Sequence, residues 1–101
     1  IIMVEASNIL AYLSANKSRL QNEYHLTKIG LFGSMARGDN DSKSDIDIIV
    51  EFEPETKDLY TLKSKLRREI QTQFNTKVDV CRLKYIKPNF QKQIQSEVKY
   101  V

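Results

Sequence analysis

The chain has 101 residues, with 16 basic against 13 acidic side chains, a net charge of +3 and a pI near 9.0. That length supports one domain with a real core and is too short for two lobes, and the mild basic excess suits an anionic ligand without amounting to a nucleic-acid-binding charge. The single cysteine, Cys81, excludes an internal disulfide and a cysteine zinc cluster. No apolar run approaches the ~18 residues of a membrane span, and no signal-peptide pattern opens the chain, so the cytoplasm is the expected compartment.

Taken in chain order, Met3, Ala6, Leu10 and Leu13 recur at helical spacing and predict a helix over residues 3–22. Residues 28–33, with Ile29, Leu31 and Phe32, read as a short strand. A one-turn helix is expected between Ser34 and Gly38, followed by a polar loop, "DNDSKS", over 39–44. Residues 45–52 form a second strand whose Ile48-Ile49-Val50 run predicts burial on both faces. After Pro54, the stripe Leu59, Leu62, Leu66, Ile70 and Phe74 marks a long helix over 57–74, opposite a basic face carrying Lys63, Lys65, Arg67 and Arg68. A third strand spans 77–83, and Phe90, Ile94 and Val98 mark a last helix after Pro88 that ends in Tyr100-Val101. No repeat or interdomain linker interrupts this order. One domain over 1–101 is predicted, α/β in class, with a small mixed sheet flanked by helices.

Two short stretches carry chemistry. In "GLFGSMARG", Ser34 is placed to cap the short helix and Gly38 to close it in the left-handed conformation. Such a turn aims several unpaired N–H groups at one point, where an anion is favoured. Gly33 lets a phosphate approach the backbone, and Arg37 adds a planar donor fork or else holds the loop. In "SDIDIIV", Asp45 and Asp47 alternate with Ile46 and Ile48, so both carboxylates share one strand face. At ~5 Å they would repel by ~3 kcal/mol at an effective dielectric near 20. Asp79, inside "KVDV", is a third carboxylate in an apolar strand and must face a polar or charged feature.

Three carboxylates with no histidine or cysteine beside them suit Mg²⁺ or Mn²⁺ and disfavour zinc. A pair of ions about 3.5–4 Å apart could act on both the attacking and the leaving oxygen. The loop from Asp39 is not an EF-hand: Lys43, Ser44 and Val50 stand where a ligand, a glycine and a bidentate glutamate belong.

With ten residues between Ser34 and Asp45, "GSMARG" followed by "SDIDIIV" and then "KVDV" resembles the DNA polymerase β nucleotidyltransferase superfamily, in its minimal nucleotidyltransferase (MNT) branch. The resemblance covers nearly the whole chain and implies a polymerase β-like nucleotidyltransferase fold. It implies an antitoxin that transfers AMP from ATP to a tyrosine of a HEPN-domain ribonuclease toxin and so blocks it. Carried over residue by residue, Gly33 and Ser34 hold the triphosphate, Asp45 and Asp47 ligate two Mg²⁺ ions, and Asp79 ligates the one that activates the acceptor hydroxyl. Arg37 matches the motif without a fixed role.

Two other functions stay open on the residues: a binding module that silences its partner by occlusion, and a transferase acting on a small molecule such as an aminoglycoside. The absence of a second domain to hold an acceptor favours a protein substrate presented by a partner. Direct nucleic-acid binding is not expected, because no aromatic residues interleave the basic face. His25 reads as a solvated loop residue, Cys81 as a small buried side chain, and Tyr85 and Tyr100 as terminal packing.

Overall fold

A computed structural model describes residues 4–101. Met3, the predicted start of the first helix, lies outside the described residues, as do Ile1 and Ile2. Where one helix was expected, two occur: α1 (Ala6–Ala15) and α2 (Lys17–Tyr24). The break is Asn16, whose side-chain Nδ2 donates to the Tyr12 carbonyl, 2.9 Å away, while its backbone leaves helical geometry. Asparagine competes with the helix for backbone partners in this way.

The strand β1 (Leu26–Phe32) runs into the short helix α3 (Gly33–Arg37), and β2 (Ile46–Phe52) returns antiparallel beside it. The long helix α4 (Leu59–Phe74) then crosses over to β3 (Val78–Cys81), which pairs parallel with β2. After a 3₁₀ turn at Leu83–Tyr85 comes α5 (Pro88–Glu97), and β4 (Lys99–Tyr100) closes the other edge, antiparallel to β1. The sheet order is β3-β2-β1-β4, a small mixed sheet as expected. The last strand was read as the end of a helix. Two residues are too few to show a period, and β4 exists because β1 offers it a partner.

One sheet face is the core. Ile46, Ile48, Val50, Ile29, Leu31 and Val78 pack there against Ile9 and Leu13 of α1, Leu20 and Tyr24 of α2, and Leu66 and Ile70 of α4. Leu59, Leu62 and Phe74 flank this cluster, so the predicted stripe of α4 does face the core. The opposite face carries Lys28, Gly30 and Phe32 of β1, Asp47, Ile49 and Glu51 of β2, and Asp79 and Cys81 of β3, because cross-strand partners share a face. The Tyr100 ring lies against Gly30, where a Cβ would stand 2.8 Å from its Cδ1.

Candidate active site

The register brings the chemistry to one end of the open face. Antiparallel pairing sets the end of β1 beside the start of β2, and parallel pairing sets the start of β3 on the far side of β2 at the same level. Phe32, Asp47 and Asp79 therefore stand side by side on three adjacent strands, about 4.8 Å apart in the pairing direction. Asp45, just ahead of β2, meets Lys77, whose Nζ lies 3.8 Å from Oδ2. Lys77 was not singled out from the sequence; it precedes Asp79 by the same two residues by which Asp45 precedes Asp47.

Gly33 sits directly against this group. Its φ is +76°, and a Cβ there would overlap the Asp47 carboxylate. Glycine is thus required twice, for the backbone angle and for the close approach. Ser34 does not cap α3: the capping position is Phe32, and no side chain accepts a capping hydrogen bond. The positive φ at Gly33 makes the turn one residue earlier than expected. Gly38 does close the helix, at φ +82°, its N–H donating to the Ser34 carbonyl over 2.9 Å. Met35 and Ala36 bury the far side of α3 in the core, which fixes the turn's position. Arg37 Nε donates to Asp39 Oδ2 at 3.0 Å and Nη1 to Glu97 Oε2 at 3.2 Å, tying the loop to α5.

Burial, then the charges of Asp79 and Asp45, push the Asp47 carboxyl up to about 6, with Arg37 pulling weakly the other way. The three carboxylates thus form one electrostatic unit. They are less enclosed than their apolar neighbours suggested: Asp45 and Asp47 are half-buried, while Asp79, on an edge strand, is exposed. Among the described residues, no three acidic, histidine or cysteine side chains are grouped so that they could hold a metal ion by themselves. An Mg²⁺ site that takes few carboxylates and completes its shell with phosphate and water does not need such a group.

Other expectations fall out differently. Cys81 is half-buried, its thiol pushed up by burial and by Asp79 and Asp47. Tyr85 does not pack at the terminus: it is 72% exposed, its ring beside the buried Arg82. His25 closes α2 in the left-handed conformation and is exposed. Sequence reasoning missed Glu69. Its carboxylate accepts from Tyr12 Oη (2.6 Å), Tyr24 Oη (2.9 Å) and Arg19 Nη2 (2.6 Å), joining α4 to α1 and α2. No local pattern announces this, since all three partners are brought by tertiary packing.

Residues 13–101 match the nucleotidyltransferase domain family. The chain belongs to that family. It is 30% identical over 99 residues to the protein adenylyltransferase MntA of Thermococcus cleftensis, covering 98% of each chain. A second relative, MJ1379 of Methanocaldococcus jannaschii, assigned the same activity, is 34% identical over 100 residues, 98% of this chain and all of that one. Among solved structures, a minimal nucleotidyltransferase superposes with a TM-score of 0.77 at 23% identity, covering 95% of both chains. A toxin–antitoxin structure with AMP-PNP gives 0.65 at 23% identity, over 85% of this chain and 69% of that one. A tri-AMPylated Shewanella oneidensis HEPN toxin in complex with its MNT antitoxin gives 0.59 at 20%, over 89% and 69%. At these identities the structural likeness is one of fold. The chain is therefore a minimal nucleotidyltransferase domain homologous to MntA, with the four-strand mixed sheet of that fold. Among the described residues no helix is long and apolar enough to cross a membrane.

Proposed function

We propose that the chain is a protein adenylyltransferase antitoxin, moving AMP from ATP onto a tyrosine hydroxyl of a partner HEPN toxin. The observation that carries this is the line Gly33–Asp47–Asp79, a glycine turn pressed against one carboxylate with a second on the next strand. The antitoxin relatives supply the acceptor class: the superposed complex contains a HEPN toxin that bears AMP.

In this reading the backbone at Gly33 and Ser34 receives the triphosphate, and Arg37 stands at its edge. The raised proton affinity of Asp47 fits a group awaiting a cation, because burial and then the charges of Asp79 and Asp45 oppose its ionisation, with Arg37 acting the other way. Asp45, Asp47 and Asp79 are the residues that would hold two Mg²⁺ ions, which supply charge neutralisation at the phosphates when bound. The phenol oxygen attacks the α-phosphorus in line as its O–H proton is released to solvent; a new O–P bond forms, the bridging P–O bond breaks, and pyrophosphate leaves. The turn and the strand ends hold donor and acceptor in that alignment, so that positioning and charge complementarity provide the rate, with no covalent enzyme intermediate.

The test is co-expression with the partner toxin and mass spectrometry of its tyrosines. AMP adducts with the parent chain, and none with Asp45→Asn or Asp47→Asn, are the expected result. Full silencing of the toxin by a variant lacking all three aspartates, without adducts, would assign neutralisation to complex formation instead.

A further inference from the structure

Beside Asp79 a cleft of about 140 Å³ opens between α4 and the edge strand β3, lined by Tyr60, Lys63, Ser64, Arg67, Asp79 and Val80. The four helix residues follow i, i+3, i+4, i+7 spacing, so they form one stripe along α4. Both of its cations, like Arg68 elsewhere on α4, stand without an ion-pair partner among the described residues. Lys65 pairs with Glu23, and Glu69 is held by Arg19. Two cations four residues apart disfavour a helix, so their placement is not explained by α4 itself. Lys63 lines the same cleft as Asp79, which sits in register with Asp47 on the open sheet face. Tyr60, 84% exposed, stands at the cleft's end with the amphipathic ring that protein interfaces favour.

The position of the cleft decides which substrate it meets. In an in-line transfer the attacking and leaving oxygens lie on opposite sides of the phosphorus. The glycine turn stands at the end of β1, on one side of Asp47, and Asp79 stands on β3, on the other. With the polyphosphate at the turn, the acceptor arrives across β3, along the cleft. Resting on the adenylyltransferase reading, we propose that Lys63 and Arg67 form a docking groove for an acidic segment of the acceptor polypeptide, carrying carboxylates within a few residues of the modified hydroxyl. The groove would make the enzyme selective for tyrosines in an acidic setting.

Two fluorescent peptides test this, each with one tyrosine, flanked by glutamates in one and by glutamines in the other. Binding is measured by anisotropy at low salt with the full chain, with K63E/R67E and with the milder K63Q/R67Q. The glutamate peptide should bind the parent chain about tenfold more tightly, as two new ion pairs would allow, and K63E/R67E should erase or reverse that preference. Unchanged melting curves would show that the variants fold. Equal affinity of the two peptides for the parent chain, or a preference that survives charge reversal, would overturn the proposal. So would an equal loss of AMP-PNP affinity in K63E/R67E, which would assign the groove to the nucleotide. AMP transfer is read separately with Asp47→Asn as its control. Absence of Asp47-dependent transfer beside an intact glutamate preference would reject the adenylyltransferase reading and leave the groove established.

Discussion

Gly33 and Gly38 flank the same short helix at nearly the same backbone angle, φ +76° and +82°, yet only one of them touches the site. Alanine at either position must adopt a left-handed conformation, which costs about 1–2 kcal/mol. For a domain of this size that lowers the melting temperature by about 5–15 °C. At Gly38 nothing lies within 4 Å of the added carbon, so strain is the whole effect. At Gly33 the new carbon would overlap the Asp47 carboxylate and lie 3.1 Å from its Cγ, so that side chain must turn away. A displacement of roughly 1 Å at a reacting centre costs on the order of a hundredfold in rate. Thermal melts and kcat/KM for AMP transfer, both taken well below the transition, should show two variants of similar stability. Gly38→Ala should retain most of its activity, while Gly33→Ala should lose about a hundredfold or more. If the two variants differ by less than about threefold in kcat/KM, the contact between the turn and Asp47 does not govern the chemistry.

Three further outcomes follow from the same structure. The Glu69 carboxyl is lowered to about 2, first by its hydrogen bond from Arg19 and then by those from Tyr12 and Tyr24, so Glu69→Gln should destabilise the fold by about 1–2 kcal/mol at pH 7 after allowance for solvent screening. Since an acid with a depressed pKa stabilises above its ordinary range, the deficit should shrink as pH falls from about 4.5 toward 2; urea melts giving a pH-independent deficit would refute this. Asp47 behaves in the opposite sense: its ionisation is opposed in the folded state, so Asp47→Asn without Mg²⁺ should raise stability by about 1 kcal/mol above pH 6, with the gain fading below about pH 4. Adding Mg²⁺ and AMP-PNP should stabilise the parent chain far more than this variant, which calorimetry would read. Gly30→Ala should lower the melting temperature by driving a Cβ to 3.0 Å from the Lys99 carbonyl and 2.8 Å from Tyr100, detaching β4; an unchanged melt would show that β4 contributes little.

Much of the site was legible because it is written locally. Alternation in "SDIDIIV" assigned Asp45 and Asp47 to one face and Ile46 and Ile48 to the other, and the core contains both isoleucines. Gly38 was readable as a helix stop for the same reason: a left-handed cap is a property of one residue. Ser34 misled because a serine after glycine matches a capping pattern, whereas a glycine with positive φ had already made the turn. Asp47 could be named from strand alternation and Asp79 from its place inside an apolar strand, but their adjacency depends on the parallel pairing of β2 with β3, which α4 makes possible.

What the chain's order of residues determined alone was therefore its periodicities: which residues are helical or extended, which side of each faces inward, and the family that the Gly-Ser and Asp-Ile-Asp stretches mark. These depend on neighbours within a few positions, where backbone geometry leaves little choice. Tertiary structure alone decided the degree of exposure of Asp79, the meeting of Lys77 with Asp45, the Glu69 hub, the fourth strand and the cleft beside Lys63 and Arg67. Each of these joins residues from separate elements, and such contacts exist only once the core has set the helices against the sheet.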